Sequence, residues 1–451
     1  MSDDRLRRSF GLSTSTYVVV ASMVGVGILT TSGYTLKDTG SPLVLLGLWL
    51  VGGVLAACGA LTVGELAAAL PQAGGEYVFV RETYGRPWAF LYGWVSFLIG
   101  FSAPAAIMAH AAGRYLAAPW VDPGGSDAVF RLLAAAFLVV FSFLHIRGQS
   151  LSSRVQDVTT IVKVALLTAV ALGGFASGRG SFANLGCQSR GSVSWGVLAI
   201  SLVYVMFSFS GWNAATYLAG EVREPGRTLP RALLLGCGGV TALYLLLNLV
   251  YVYALPAAEV AAMPYGNVEP IAALAVERLF GPRASGPFSV VVGLGLLASV
   301  SAMILTGPRV YYAMACDGLF PAVAARLSAR AGTPAVAIMA QSACSLVLLL
   351  TGRFHDILTY AGVGLSLSSF FVVLSVFVLR FRRPDLARPF RVPLYPVPPL
   401  LFLVCTSWMI VFAFVQQPRW STISVGSILA GIPVYYGWRC VRGRRSAEPA
   451  L

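Results

Sequence analysis

Charge is scarce in this sequence of 451 residues. Asp, Glu, Lys and Arg make up 11% of the chain, whereas soluble globular domains contain about 25%. Apolar runs of about 17–25 residues, long enough to cross a bilayer, recur along the whole length. The composition therefore excludes a soluble protein and predicts an integral membrane protein. A transmembrane β-barrel is also excluded, because its strands alternate over about 10 residues and these runs are continuous.

Clusters of reactive side chains are absent from the sequence as well. The seven cysteines are scattered, without the spacing of a disulfide framework or a zinc site. We expect His110, His145 and His355 to be isolated from one another and from acids. A membrane enzyme needs clustered His, Asp or Cys, and a channel needs charge rings or repeated filter elements. The sequence favours neither class, and it predicts no cofactor and no metal.

Most of the charge that remains is basic, and the formal net charge is +14. If both termini are cytoplasmic, 22 of the 32 Lys and Arg residues lie inside, nine lie outside, and Lys163 lies within a span. This asymmetry is the positive-inside bias of membrane proteins, so it does not indicate a nucleic-acid partner. We expect a multi-pass protein of the cell (inner) membrane with both termini in the cytoplasm.

Twelve apolar segments are predicted to cross the membrane as α-helices. They form two sets of five and a final pair, which corresponds to residues 1–175, 194–380 and 397–440 of a single domain. Residues 256–283 are expected to form a helical lid on the outer face. The predicted spans are 14–36, 42–69, 87–116, 128–146, 154–175, 195–220, 230–255, 286–312, 334–352, 356–380, 397–416 and 421–440.

Spans one and six are interrupted by small and polar residues at corresponding places in the two sets. Span one contains Gly25 and Gly27, although Gly costs roughly 1 kcal/mol against Ala in a helix interior. Span six contains Phe-Ser-Phe-Ser-Gly-Trp-Asn at residues 207–213. Interrupted helices at matching positions indicate the binding site of a secondary transporter. The alternative is that the glycines only allow another helix to approach closely.

Six motifs, in order, cover about residues 10–440. They are Gly25-Val26-Gly27-Ile28 with Gly40-Ser41-Pro42, Gly64-Glu65-Leu66 with residues 71–77, Arg154-Val155-Gln156 with Lys163, residues 210–213, residues 309–321 and residues 388–393. They resemble motifs of the amino acid–polyamine–organocation superfamily, specifically its L-type amino acid transporter branch. The resemblance implies the inverted-repeat fold of the sodium-coupled leucine transporter, with five helices repeated as five, two C-terminal helices, and the substrate at mid-membrane.

The two breaks and the resemblance together imply an amino acid site. Backbone N–H groups that start the second half of span one are expected to hold the carboxylate, and carbonyls near Ser22 and Phe207 the ammonium. For Phe209, ordinary core packing is an equal alternative to substrate contact. For Ser299, contact with a neighbouring helix is an equal alternative to lining the pocket. Val26 and Ser210 replace the family's Ser and Gly, which leaves selectivity open. The predicted substrate-binding residues are Ser22, Met23, Gly25, Val26, Gly27, Ile28, Phe207, Phe209, Ser210, Gly211, Asn213 and Ser299.

Acidic residues are missing from the centres of the predicted spans, so we expect neutral L-amino acids as substrates. Glu65 lies near a cytoplasmic end and is expected to pair with an arginine there. Lys163 lies well inside span five, where a charge is costly and therefore indicates a function. By the resemblance, Lys163 replaces a sodium ion and reaches carbonyls near Ser22 and Met23.

These features predict sodium-independent transport by alternating access, in exchange mode. A proton-coupled symporter and a polyamine or cationic amino acid permease are the alternatives within transport. In the resembling family, animal members carry an extracellular Cys that bonds to a glycoprotein partner. Residues 117–127, at the corresponding loop, contain no Cys. We therefore expect the amino acid and the lipid bilayer as partners, and no disulfide-linked heavy subunit.

Overall fold

A computed structural model describes residues 10–445 except for residues 73, 119, 122–126, 149–152, 187–191, 269, 317 and 329–331. Within this part of the chain the regular structure is helical. The β-contact that it contains is an isolated bridge between Phe10 and Val222, and no strand is formed there. The predicted all-α class is therefore confirmed.

Eight α-helices occupy the first set of predicted spans. They are α1 (Leu12–Met23), α2 (Gly27–Thr39), α3 (Pro42–Ala69), α4 (Glu76–Tyr84), α5 (Arg86–Val95), α6 (Ala103–Ala117), α7 (Asp127–Ile146) and α8 (Ser153–Ala176). A π-helical turn, Ser96–Ser102, joins α5 to α6. There the Ser102 hydroxyl donates to the Phe97 carbonyl at 2.6 Å. The π-helical turn lets α5 and α6 continue as one helical segment, Arg86–Ala117.

Eleven α-helices follow in the rest of the described chain. They are α9 (Trp195–Ser208), α10 (Pro225–Ala254), α11 (Ala257–Ala262), α12 (Tyr265–Val268), α13 (Ile271–Phe280), α14 (Pro282–Cys316), α15 (Ala335–Thr351), α16 (Phe354–Arg382), α17 (Val397–Gln416), α18 (Pro418–Leu429) and α19 (Gly431–Arg445). A 3₁₀-helix, Ala214–Glu221, follows α9 after a short turn.

Local sequence signals explain several helix boundaries. Ser41 caps α3 by accepting a hydrogen bond from the Val44 N–H, and Pro42 occupies the first helical position, where no N–H is needed. Ser194 caps α9 in the same way through the Val197 N–H. At the end of α2, Gly40 adopts a left-handed conformation with φ of 58° that favours glycine.

Eight of the described helical segments are long and apolar enough to cross a membrane. The bent pair of α1 and α2 passes the same test as one unit, which gives nine. Helices α9 and α15 are also apolar but contain only 14 and 17 residues. The chain is thus a multi-pass membrane protein, whereas the count of twelve spans and the inverted repeat stay predictions.

The interrupted helices lie at the centre of the packing. Helix α10 packs along α1 and α3, and α9 packs against α2, α16 and α17. The predicted lid contains α11, α12 and α13. Lys37 near the end of α2 donates hydrogen bonds to the carbonyls of Ala261 and Met263, at 2.8 and 2.5 Å. The lid is therefore tied to the second half of the broken first span.

Glu65 joins three parts of the chain at the end of α3. It is almost fully buried and accepts hydrogen bonds from Arg380 Nε at 2.8 Å and from the Val392 N–H at 2.7 Å. Arg388 Nε lies 3.6 Å from the same carboxylate. The predicted pairing of Glu65 with arginine is confirmed, and it links α3 to α16 and to the segment before α17.

The expectation that the histidines are isolated from acids is wrong for His110. Its Nε2 lies 3.2 Å from Asp127 Oδ1, and Arg131 donates to the other oxygen at 2.8 Å. The two residues are 17 positions apart in the sequence, but α6 and α7 pack against each other and bring them together. His145 and His355 contact hydroxyls instead, those of Ser301 and Tyr204.

Candidate functional site

The first break separates α1 from α2 at residues 24–26. The two helix axes are bent by 46°, and Val24 leaves helical geometry with ψ of 87°. Ser22 is exposed and Gly25 half-buried, although both lie in the middle of the bent pair. Non-helical backbone inside a membrane span is tolerated only where it is buried in protein or lines a water-filled cavity. Since Ser22 and Gly25 are not fully buried, this break is a candidate binding position.

The second break follows α9. Residues 209–213 form turns between Ser208 and the 3₁₀-helix, and Gly211 has φ of 96°. Such a φ belongs to the left-handed region that side chains other than glycine rarely adopt. Ser210, Gly211 and Asn213 are half-buried. The sequence placed both interruptions at the residues where the chain leaves the helix.

The two breaks pack directly against each other. A Cβ atom at Gly27 would lie 2.5 Å from Ser208 Cα, and one at Gly211 would lie 2.8 Å from the Ser22 carbonyl carbon. Thr31 and Ser208 share a hydrogen bond between their hydroxyls, at 2.8 Å. Gly27 therefore lies in a close helix contact, as the alternative expected, and its role in substrate binding stays a prediction.

Gly25 differs from Gly27 in its surroundings. A Cβ at Gly25 would meet only the Met108 methyl at 3.7 Å and the Met23 carbonyl oxygen at 3.8 Å, which are ordinary contacts. Neither glycine has a positive φ. Gly25 is thus less closely packed than Gly27, and a methyl group would fit there without a clash.

Backbone N–H groups at the start of α2 are available to a ligand. In the described chain, no backbone carbonyl accepts from the N–H groups of Gly25, Val26 or Ile28. Unpaired N–H groups at a helix N-terminus carry partial positive charge and bind carboxylates. The Gly25 N–H lies beside the Tyr244 hydroxyl. That these N–H groups bind a carboxylate stays a prediction.

Carbonyl groups end the first halves of both broken helices. The Tyr244 hydroxyl donates to the Met23 carbonyl at 2.7 Å and lies 3.2 Å from the Ser208 carbonyl. The Phe207 carbonyl accepts from the Ser210 N–H at 3.0 Å. Each carbonyl oxygen has two lone pairs, so these groups retain capacity for an ammonium. Ser22 presents its carbonyl toward Gly211.

The two phenylalanines of the second break are both buried. Phe209 packs its ring against Trp49 and Tyr244, with centroid distances of 5.8 and 5.2 Å. These ring contacts agree with the interpretation of Phe209 as a residue of the core. Phe207 also belongs to the main hydrophobic core, at 5% exposure.

Asn213, the last residue of the second break, contacts a buried acid. Its side chain lies beside Glu76 and Tyr217. Glu76 is the first residue of α4, and its Oε2 accepts a hydrogen bond from the Tyr92 hydroxyl at 2.5 Å. The structure therefore brings the predicted residue Asn213 to the loop motif of residues 71–77.

Ser299 and Lys163 lie where α14 meets α8. The Ser299 hydroxyl donates to the Gly295 carbonyl at 3.2 Å, and a Cβ at Gly295 would lie 3.5 Å from Lys163 Cδ. Lys163 is 3% exposed, and no described residue hydrogen-bonds its ammonium. The Tyr244 hydroxyl donates to the Met23 carbonyl, and the expected contact of Lys163 with carbonyls near Ser22 and Met23 stays a prediction.

Sequence reasoning missed two residues at this site, Tyr244 and Glu76. Tyr244 is one of several tyrosines of α10, and nothing in their spacing distinguishes it from Tyr251. Only the packing of α10 shows that this hydroxyl lies at the ends of both α1 and α9. Glu76 stood in a quoted motif, but its burial depends on α5 and the 3₁₀-helix, which are distant in sequence.

Two broken helices that meet at their breaks inside a multi-pass helical protein are typical of secondary transporters. Residues 10–437 match the model of the amino acid permease family. The chain belongs to this family, and it is a membrane transporter of amino acids rather than an enzyme. The resemblance seen in the sequence motifs is thereby confirmed.

Relatives align over almost the whole chain. The mouse large neutral amino acids transporter small subunit 2 is 27% identical over 441 residues, which cover 96% of this chain and 81% of the relative. The mouse Asc-type amino acid transporter 1 is 27% identical over 445 residues, with the same two coverages. The human b(0,+)-type amino acid transporter 1 is 27% identical over 439 residues, covering 96% of this chain and 88% of the relative.

Proposed function

We propose that the chain transports neutral L-amino acids without sodium, by alternating access and in exchange for an amino acid on the other side. The observation that carries the proposal is that no described backbone carbonyl accepts from the N–H groups of Val26 and Ile28 at the break of the first span. A zwitterion must exchange its hydration for fixed dipoles, because an unpaired charge in a low-dielectric site is costly. The start of α2 supplies donors for its carboxylate, and the ends of α1 and α9 supply acceptors for its ammonium.

The neutral substrate class is supported by the residues at the opening between the breaks. Ser22, Gly25 and Ser210 are exposed or half-buried there, and none of them carries a charge. The name of the mouse relative, a large neutral amino acids transporter, agrees with this class. Val26 and Ser210 set the shape of the pocket, which decides among neutral side chains.

We propose twelve spans with both termini in the cytoplasm of the cell membrane. Residues 1–175 and 194–380 form the inverted repeats, and residues 397–440 form the final pair. The split of 22 internal against nine external basic residues supports this topology. Cysteine labelling of residues 3 and 446, which lie outside the described residues, is expected from the cytoplasmic side only. Labelling of either from outside would overturn every inside and outside assignment.

We propose that Lys163 takes the role of a coupling ion. It is buried between α8 and α14, where it packs against Gly295, one helical turn before Ser299. A buried ammonium without a partner is costly, so a conformation in which it meets carbonyl oxygens is favoured in another step of the cycle. In the resembling transporters the corresponding lysine stands where related proteins bind sodium.

Uptake into proteoliposomes tests the proposal. Purified protein is reconstituted with and without internal L-leucine, and uptake of labelled L-leucine, L-alanine and L-arginine is measured. We expect uptake of the neutral amino acids only, stimulation by internal amino acid, and the same rate in sodium and choline buffers. Uptake driven by a pH gradient without internal amino acid would favour the proton-symport alternative. Preferred uptake of L-arginine would favour the cationic permease.

A further inference from the structure

Glu76 is a buried acid that the transport mechanism above does not use. It is 4% exposed, and it begins α4 between the second and third predicted spans. Oε2 accepts the hydrogen bond from Tyr92, whereas Oε1 has no hydrogen-bond partner among the described residues. Such a buried carboxyl group, with one oxygen unpaired among the described residues, favours its neutral, protonated form, because desolvation of a charged carboxylate is costly.

The acid stands at the contact between α4 and the segment after the second break. The hydroxyls of Tyr92 and Tyr217 are 3.1 Å apart, and Asn213 lies beside Glu76 and Tyr217. A Cβ at Gly75 would lie 2.8 Å from the Tyr217 ring, so the start of α4 presses directly on the 3₁₀-helix. A movement that separates α4 from this 3₁₀-helix would remove one of the surfaces that keep water away from Glu76.

The groups that face Glu76 supply no positive charge. Tyr92 approaches it from α5, and Asn213 and Tyr217 approach it from the second break and the 3₁₀-helix. No described arginine or lysine acts on it electrostatically. Burial raises the pKa of the Glu76 carboxyl above its ordinary value, and the hydrogen bonds from Tyr92 and Asn213 lower it by a smaller amount.

Helix α16 also packs on α4, and the arginines at the end of α16 lie at the other end of α4. Arg383 pairs with Glu82 at 3.1 Å, and Arg382 donates to the Thr83 carbonyl at 3.3 Å. Glu82 is therefore neutralised by an arginine, whereas Glu76, two turns earlier on the same helix, is not. The two acids of α4 form a matched pair for experiment.

We propose that Glu76 is a proton-binding site that keeps α4 and the segment after the second break in contact. The carboxyl group holds its proton while the contact is closed, and the O–H bond breaks to release that proton to water when the contact opens. Closing reverses the step. This inference rests on the proposed function in one respect only, that the two segments separate during alternating access.

The sign of the pH effect follows from linkage. The closed contact binds a proton more tightly than the open one, so low pH favours the closed contact and rising pH favours the open one. Between the pKa values of the open and closed forms, the open-to-closed ratio rises up to about tenfold per pH unit.

Hydrogen–deuterium exchange of the full-length protein in lipid nanodiscs tests this proposal without any transport measurement. Peptides covering residues 74–84 and 209–221 are followed from about pH 5 to about pH 9, with correction for the intrinsic exchange rate. We expect protection in the wild type to fall as pH rises. Glu76→Gln should stay protected throughout, because its amide does not ionise. Glu82→Gln, the matched control, should behave as the wild type.

A second variant keeps the test decisive if Glu76→Gln does not fold. Tyr92→Phe removes a hydrogen bond that favours the ionised form, so the midpoint of the pH effect should move to higher pH. A merely structural tyrosine would change protection without moving the midpoint.

Three results would overturn the proton site. One is protection in the wild type that does not change with pH, and another is an unchanged pH dependence in Glu76→Gln. The third is protection that follows sodium or potassium concentration at fixed pH, which would assign a metal cation to the site instead. Since exchange is measured without transport, a failed uptake assay would count against the proposed function alone.

Discussion

Gly25 and Gly27 offer a direct test of which part of the first break binds substrate. Both glycines have backbone angles that alanine accepts, since neither has a positive φ. A methyl group at Gly25 meets atoms at 3.7 Å and beyond, whereas at Gly27 it would lie 2.5 Å from the Cα and Cβ of Ser208. Gly25→Ala and Gly27→Ala therefore make the same chemical change, two residues apart, with different structural consequences.

The magnitudes separate the two variants. At Gly25 we expect the methyl group to crowd the proposed carboxylate site beside the N–H groups. Hydrogen bonds to a charged group contribute about 1.5–3 kcal/mol, so binding should weaken roughly ten- to hundred-fold. Stability should change little. At Gly27 the clash is with backbone, and overpacking of this kind costs about 1–3 kcal/mol of folding free energy.

Two measurements on each purified variant decide between the roles. Thermal unfolding in detergent reports stability, and equilibrium binding of labelled L-leucine reports the site. We expect Gly25→Ala to unfold near the wild-type temperature with weakened binding, and Gly27→Ala to unfold at a lower temperature. Wild-type binding by a stable Gly25→Ala protein would refute the carboxylate site. A Gly27→Ala protein as stable as the wild type would refute the packing of Gly27 on Ser208.

Three further predictions concern residues away from the breaks. Lys163→Ala should slow turnover in exchange assays much more than it weakens equilibrium binding. Lys163→Met, which keeps the stem without the charge, should do the same, and turnover at the wild-type rate in Lys163→Met would reduce the residue to packing. Glu65→Gln should lower the thermal stability measured by unfolding. Breaking a fully buried ion pair costs about 3–5 kcal/mol, and we expect a smaller loss of stability here because Arg380 is partly exposed. Glu82→Gln should change stability by less than about 1 kcal/mol, and an equal loss in both would contradict a special role of Glu65. Because residues 117–127 contain no thiol, the purified chain should transport in proteoliposomes alone, and a requirement for a second polypeptide would contradict this.

The helices and their interruptions could be predicted because both depend on local composition. The predicted span 42–69 coincides with α3, and the predicted span 397–416 coincides with α17. A continuous apolar run has no other stable arrangement in a bilayer than a helix. The first break was visible because glycines within such a run weaken the helix there.

What the sequence could not supply are contacts between distant helices. Tyr244 reaches the carbonyl ends of two helices only through the packing of α10 against them. His110 meets Asp127 for the same reason. Gly25 and Gly27 look equivalent in the motif, and only the position of Ser208 separates them. Single-sequence patterns record which face of a helix is apolar, but they do not record which helix covers it.

The contacts of the first span indicate how a substrate could couple the two halves of the site. Helix α2 is held by the lid through Lys37, by Tyr115, whose hydroxyl donates to the Leu29 carbonyl at 3.0 Å, and by α9 through Thr31.

Helix α1 is held at its end by the Tyr244 hydroxyl, which also lies near the end of α9. A zwitterion whose carboxylate binds the start of α2, and whose ammonium binds the end of α1, therefore bridges the 46° bend. Because a ligand shifts a conformational equilibrium only by binding its states differently, a substrate that spans this bend can favour one bend angle over another. Under the proposed function, the break is therefore both the binding site and the joint at which binding acts on the fold.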